Sequence, residues 1–297
     1  MTDIQQLHGL GTALITPFMP NRQIDIPALQ HLIDRQIEAG VDYLVVLGTT
    51  GEAVTLTPEE KRQVAETVVE RAAGRIPLVL GLGGNNTATV LKEIKEWKEW
   101  LKAHFSAILS VCPYYNKPSQ EGLYQHLLLV AEGSPVPVIL YNVPGRTGVN
   151  LLPQTVKRLQ AASDNIIGIK EASGNIEQIE QTIRLTKQRS DFLVISGDDG
   201  ITADLMDKGA DGLISVAANA FPQDFRQIVH NHDHSLQEKY ATMVELLFKE
   251  GNPAGIKALL NDMRLTNNVL RLPLVSVSNA LQKAIHQERL TLQNRPC

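Results

Sequence analysis

Eight short apolar runs rich in β-branched residues recur along the 297-residue chain, and their spacing limits its possible folds more than any other feature. They are Leu10–Thr16, Tyr43–Leu47, Pro77–Leu80, Ala107–Val111, Val136–Tyr141, Ile166–Lys170, Phe192–Ser196 and Gly212–Val216. Their starts lie about 20 to 35 residues apart, the length of one strand–helix unit. Continuous apolar runs bounded by turn residues read as strands covered on both faces. Helix start signals fall between them. Thr57-Pro58-Glu59-Glu60 is a capping box with proline at the first helical position, opening a helix to about Arg71. Ser119 precedes a helix around Leu123–Ala131, Asn175 can cap Ile176–Gln188, and Asp198 or Asp199 can cap a short helix before Gly209. A helix after each strand, eight times, predicts a closed parallel TIM (β/α)8 barrel over residues 1–233. Phe221–Val229 supplies the eighth outer helix. Leu236–Lys249, Pro253–Asn261 and Asn279–Glu288 predict a C-terminal helical extension, residues 234–297, packed on the barrel as part of one structural unit.

An open doubly wound sheet would also accept eight strands, but no Gly-x-Gly-x-x-Gly turn follows the first. Gly81-Leu82-Gly83-Gly84 after the third strand could cradle a phosphate; a tight turn at the barrel rim is the simpler reading. Hydrophobic residues make up 43% and charged residues 20%, so a large core is available. The net charge is −4 and no basic patch occurs, which argues against nucleic acid or an anionic membrane as partner. No apolar run approaches the roughly 18 residues of a membrane span. The start, Met1-Thr2-Asp3-Ile4-Gln5-Gln6, lacks the basic-then-apolar order of a signal peptide, and Cys112 and Cys297 form no metal or redox spacing. A reduced, cytoplasmic location is expected.

The sixth run ends in Gly168-Ile169-Lys170-Glu171. A lysine at the carboxyl end of a buried strand is half-desolvated, and desolvation disfavours the ammonium. A neutral amine in a dry pocket is what Schiff-base chemistry on a ketone requires. The plain alternative is a lysine that ends a strand and reaches out to water. Barrel enzymes keep their chemistry at the carboxyl ends of the strands, so the other ends carry weight. The second is Gly48-Thr49-Thr50-Gly51-Glu52, whose hydroxyls and amides make a carboxylate cradle. The fourth is Pro113-Tyr114-Tyr115-Asn116-Lys117-Pro118, and the fifth is Tyr141-Asn142-Val143-Pro144-Gly145-Arg146-Thr147-Gly148. Singly, rim packing explains the tyrosines and strand preference the threonines. Together they put a lysine, tyrosines, paired threonines and an arginine on one rim.

The motifs ending strands two, five and six resemble the signatures of the dihydrodipicolinate synthase / N-acetylneuraminate lyase superfamily, most closely its dihydrodipicolinate synthase branch. The likeness runs from about Leu10 to Val277. It implies a lyase in lysine and diaminopimelate biosynthesis, working without metal or organic cofactor. Lys170 would form a Schiff base with pyruvate. Tyr141 would be the general acid/base, linked through hydroxyl contacts to Thr49 and Tyr115. Thr50 and its amide would hold the pyruvate carboxylate, and Arg146 the carboxylate of the second substrate, L-aspartate 4-semialdehyde. Backbone carbonyls at Gly197 and Ile214 would line the pocket. The family's tyrosine matching Tyr115 enters the neighbouring subunit's site, which implies a dimer contact and usually a homotetramer, a dimer of dimers. A tyrosine near its ordinary pKa of about 10 is a sluggish base alone, so a hydroxyl relay is useful. Two substrate carboxylates also need two anion sites. Arg146 separates this chain from the alternatives, an N-acetylneuraminate lyase or related pyruvate-dependent sugar-acid aldolase, whose substrates are neutral polyols at that position. A non-catalytic keto-acid sensor would have lost the lysine, tyrosine or arginine.

Some members bind lysine as an inhibitor at the dimer interface. Ala53, Pro58, Lys61, Asn85, Thr89 and Tyr114 resemble that region, but Thr89 stands where a carboxylate grips the ligand and Lys61 would repel its ammonium. The resemblance therefore implies a vestigial allosteric site and weak or absent inhibition. His230 and His234 could share a helix face at i, i+4; a solvated helix explains them and His232 better than a metal. Trp97 and Trp100 share a face at i, i+3 and read as packing residues. Asn85-Asn86-Thr87 matches a glycosylation acceptor that a cytoplasmic chain would never use.

Overall fold

The computed structural model describes residues 4–187, 189 and 191–294. Strands β1 (Gly9–Ala13), β2 (Tyr43–Val46), β3 (Leu78–Gly81), β4 (Ala107–Val111), β5 (Val138–Asn142), β6 (Ile166–Glu171), β7 (Leu193–Ser196) and β8 (Gly212–Ser215) pair in parallel and in chain order. β8 returns to β1, closing the predicted barrel. The helices are α1 (Ile26–Glu38), α2 (Pro58–Ala72), α3 (Thr87–His104), α4 (Gln120–Gly133), α5 (Pro144–Thr147), α6 (Pro153–Ala162), α7 (Ile176–Thr186), α8 (Thr202–Asp207), α9 (Pro222–Asn231), α10 (His234–Lys249), α11 (Ala254–Asp262) and α12 (Asn279–Asn294). Among the described residues no helix is long and apolar enough to cross a membrane.

Local signals placed the helix starts well. Thr57 and Glu60 bond reciprocally, the Thr57 amide donating to Glu60 Oε2 at 2.9 Å and the Glu60 amide to Thr57 Oγ1 at 3.3 Å. Ser119 and Asn175 cap α4 and α7, accepting from Gly122 N at 3.3 Å and Gln178 N at 3.0 Å. One expected cap is corrected: neither Asp198 nor Asp199 caps α8, which has no side-chain cap. Asp198 accepts from Gly200 N at 2.9 Å. Asp199 turns to the end of β8, taking the Ser215 hydroxyl and the amides of Val216 (3.1 Å) and Ala217 (3.3 Å). Those amides open a buried turn, and they outcompete a helix end near the surface. Helix α12 runs past the predicted Glu288 because Leu292 continues the buried stripe of Leu281 and Ile285. The predicted helix end at Gln188, the first three residues and Cys297 lie outside the described residues.

Two apolar layers form the core. Ala13, Tyr43, Val45, Val79, Leu109, Ile139, Tyr141, Ile167, Leu193, Ile195 and Ile214 fill the barrel interior. A larger outer layer lies between the strands and the helices. We propose that residues 1–233 and 234–297 form one structural unit, because that outer layer takes in Leu10 and Phe225 as well as Met243, Leu259 and Ile285. The glycine turn after β3 is a close approach of backbones: a Cβ on Gly81 would lie 2.4 Å from the Leu47 carbonyl oxygen.

The histidines do not share a helix face. His230 belongs to α9, His232 follows it with φ +51°, and His234 opens α10, so the left-handed residue breaks the helix between them. Each bonds an aspartate: His230 to Asp42 at 2.7 Å, His232 and His234 to Asp207 at 2.8 and 2.7 Å. Trp97 and Trp100 pack edge to face at 5.7 Å, with the Arg62 guanidinium over both rings.

Candidate active site

Lys170 and Tyr141 sit directly opposite each other on paired strands β6 and β5. The lysine side chain is 6% exposed, and its Nζ lies 4.6 Å from the centre of the Tyr141 ring. A bulge brings this about. Ile166 pairs with Val138 but Gly168 with Ile139, leaving Ile167 as the extra residue. In a regular strand residues 166 and 170 would face the same side. Ile166 belongs to the outer layer, so the bulge is what turns Lys170 inward to Tyr141. One step along, on the outer face, Asn142 donates to both oxygens of the buried Glu171 at 3.1 and 3.0 Å, and Ser173 N and Gln178 add bonds at 2.9 and 3.2 Å. Burial pushes the Glu171 carboxyl up from its ordinary value, and those three donors pull it back. This knot ties the two strands together beside Lys170 and Tyr141. Gly197 leaves room for the lysine: a Cβ there would lie 2.9 Å from Lys170 Cε and 2.6 Å from Ala172 Cβ. Ile214 lies on the inner face of β8. Asp199, whose carboxyl burial pushes up to about 6, anchors the turn after β8.

The threonines occupy a short 3-10 turn, Thr49–Gly51, closed by Glu52 in the left-handed conformation at φ +52°. Thr50 is buried, and its hydroxyl accepts from the Asn252 amide at 3.0 Å. The Asn252 carbonyl accepts from Arg146 at 3.0 Å. One residue between α10 and α11 therefore ties both predicted carboxylate-binding groups together. Among the described residues its side-chain oxygen is buried without a partner. Arg146 rides on α5 and is exposed, and among the described residues the Asn252 carbonyl is its only side-chain hydrogen-bond partner.

Tyr115 stands apart. Its side chain is 88% exposed, on a loop held by a 3.2 Å bond from its amide to the Thr147 carbonyl. Among the described residues no hydrogen bond joins the hydroxyls of Thr49, Tyr141 and Tyr115, so one chain alone does not form the expected relay. Thr49 and Tyr141 do share a cavity of about 450 Å³, and Ala53, Lys61, Asn85, Thr89 and Tyr114 line it too. The carboxylate in its wall, Glu93, is bonded by Lys61 at 3.2 Å. Glu93 lies one helical turn beyond Thr89, and its i+4 spacing was the signal that could have found it.

Sequence reasoning also missed Lys257. It is fully buried in α11, bonded to Glu52 and, at 3.0 Å, to the Val269 carbonyl. A lone lysine within the apolar run Ala254–Leu260 was the available clue. Burial pushes its amine down to about 8, with Glu52 opposing that shift. An unfolded chain titrates this group near 10.5, so between pH 8 and 10.5 the unfolded state binds more protons and stability rises with pH. The variant Glu52→Gln/Lys257→Met removes that contribution. Urea unfolding at pH 8 and pH 10 should show the native chain gaining on the variant by about 1 to 3 kcal/mol. Parallel behaviour would show that Lys257 keeps its ordinary titration.

The comparisons with known proteins agree with this geometry. A model of the dihydrodipicolinate synthetase family matches residues 6–290. The 4-hydroxy-tetrahydrodipicolinate synthase of Flavobacterium psychrophilum is 47% identical over 289 residues, covering 95% of this chain and 97% of its own. That of Parabacteroides distasonis is 50% identical over 282 residues, 93% of each chain. The crystal structure of dihydrodipicolinate synthase from Thermotoga maritima superposes with a TM-score of 0.92 at 40% identity, covering 96% of this chain and 98% of its own. With a closed barrel, a buried lysine under a tyrosine ring and full-length likeness all in agreement, the chain belongs to the dihydrodipicolinate synthetase family.

Proposed function

We infer that this chain condenses pyruvate with L-aspartate 4-semialdehyde to give 4-hydroxy-tetrahydrodipicolinate. The observation that carries the reading is the buried Lys170 amine against the Tyr141 ring at paired strand ends, in a chain so close to named synthases. Lys170 attacks the keto carbon of pyruvate and, with loss of water, forms the imine. A methyl proton leaves, the resulting enamine carbon attacks the aldehyde, and the aldehyde oxygen takes up a proton. The amino group of the second substrate then displaces the lysine, closing the ring and restoring the free amine. Tyr141 serves these proton transfers. Thr50 and the turn amides hold the pyruvate carboxylate, and Arg146 holds the other. Gly197 and Ile214 contribute carbonyls to the pocket wall. The defining experiment is borohydride reduction with pyruvate and peptide mapping, followed by assay with both substrates. Adduct on Lys170 and condensation are expected. Cleavage of N-acetylneuraminate without condensation would instead favour a lyase.

Arg146→Lys keeps a charge but loses the fork. We expect the KM for the semialdehyde to rise about 10- to 100-fold, the loss of one charged hydrogen bond, while pyruvate trapping stays unchanged. Equal effects on both substrates would remove Arg146 from the second anion site.

In the same reading Tyr115 completes the hydroxyl relay of a second copy, supported by its exposure and by that of the apolar Val54 in the second rim loop. A tight dimer, paired again into a tetramer, follows from the resemblance, and sedimentation would measure it. The buried free thiol of Cys112 supports a reducing, cytoplasmic home. Lysine should inhibit weakly or not at all, since the cavity carboxylate Glu93 is already engaged by Lys61. Half-maximal inhibition at submillimolar lysine would contradict this.

A further inference from the structure

We propose that Lys257 and Arg271, both outside the barrel, are positioning residues for the turn that binds the pyruvate carboxylate, acting on it through Glu52. The proposal rests on the Schiff-base reading above and explains the one member of the Gly48–Glu52 motif to which that reading gives no role. Glu52 is buried and left-handed, a conformation that strains a residue with a Cβ and persists only where its surroundings impose it.

Those surroundings come from the C-terminal extension. One carboxylate oxygen of Glu52 accepts from Lys257 Nζ, and the other accepts from the Arg271 amide at 3.1 Å. Lys257 also holds the Val269 carbonyl at 3.0 Å, two residues before Arg271. Both cations rest on the ring of Phe18, at 4.1 and 4.6 Å. The Arg271 guanidinium grips both oxygens of Glu60 in α2 at 2.6 Å. On the barrel side, Thr16 Oγ1 donates to the Gly51 carbonyl at 2.7 Å. The turn carrying Thr49 and Thr50 is thus pinned at Gly51 from the segment that follows β1 and at Glu52 from the extension.

Stability does not account for such a pair. Two charges with no exposed side-chain surface give up their hydration, and a well-packed apolar pair of similar volume is often as stable or more so. The downward push of burial on the Lys257 amine marks that penalty. What an ion pair supplies and an apolar pair does not is direction: it sets where the Glu52 carboxylate lies, and through it the backbone of the preceding turn. A carboxylate bound by backbone amides is sensitive to small shifts of those amides.

The test uses the full-length protein with pyruvate as the probe, comparing the native chain with Glu52→Gln, Lys257→Met and the double variant. Readouts are the pyruvate concentration that half-saturates borohydride trapping on Lys170, kcat and KM for each substrate, and the melting temperature. The double variant should melt within about 5 °C of the native chain, having no orphaned charge. Its half-saturating pyruvate should rise about tenfold, with kcat and the semialdehyde KM changed less than about threefold. Lys257→Met alone strands the Glu52 charge and should also lose stability. A folded double variant with native half-saturation overturns the clamp. So does an unfolded double variant, which would make the pair structural. Absence of any adduct in the native chain overturns the Schiff-base reading itself, and a native adduct separates the two failures.

Discussion

Lys170→Ala should leave no borohydride-stable pyruvate adduct and lower turnover by about 10^6-fold, the scale on which an enzyme loses its covalent nucleophile. Lys170→Arg should be equally inactive, since a guanidinium keeps the charge but stays protonated and cannot attack a ketone. The two variants together separate nucleophile from charge. The arginine side chain must also fit beside Gly197, where even a Cβ would come within 2.9 Å of the native lysine chain. The alanine variant is therefore the cleaner measurement. An adduct on any other residue, or turnover within tenfold of native, would end the assignment.

Tyr141→Phe should lower kcat by about 10²- to 10⁴-fold, the range for one general acid/base. The ring that lies against Lys170 is retained, as is its place in the interior layer of β5. Pyruvate should therefore still be trapped on Lys170 at saturation, while enamine formation and condensation slow. That combination separates proton transfer from packing. Native kcat in the phenylalanine variant would move the acid/base role elsewhere, and a lost adduct would show that the hydroxyl is needed to form the imine.

Much of this site is legible in one dimension because its ingredients are local. The capping box at Thr57, the caps at Ser119 and Asn175, and the apolar strand runs each depend on residues within one or two turns of chain. Strand ends could name candidates because closure of a parallel barrel puts all carboxyl ends on one face. The misreadings share a physical origin. Asp198 and Asp199 were natural caps for α8, but an acceptor goes to the buried donors it can reach, and folding brought the end of β8 within reach of Asp199. His230 and His234 have helical spacing, but a left-handed His232 ends the helix between them.

The order of strands and helices, the closed barrel and the placing of Lys170 and Tyr141 at strand ends were all determined by the amino-acid sequence on its own. Tertiary structure decided which way Lys170 points, since alternation from Ile166 would turn it outward and only the bulge against β5 turns it in. It also decided that Glu52 meets Lys257 across 205 positions, that Asn252 reaches Thr50 across 202, and that Ala53, Lys61, Asn85, Thr89 and Tyr114 share a cavity with Thr49 and Tyr141. Backbone preferences act over a few residues, whereas the partner of a buried charge or amide is chosen by which distant groups the closed barrel leaves within about 3 Å.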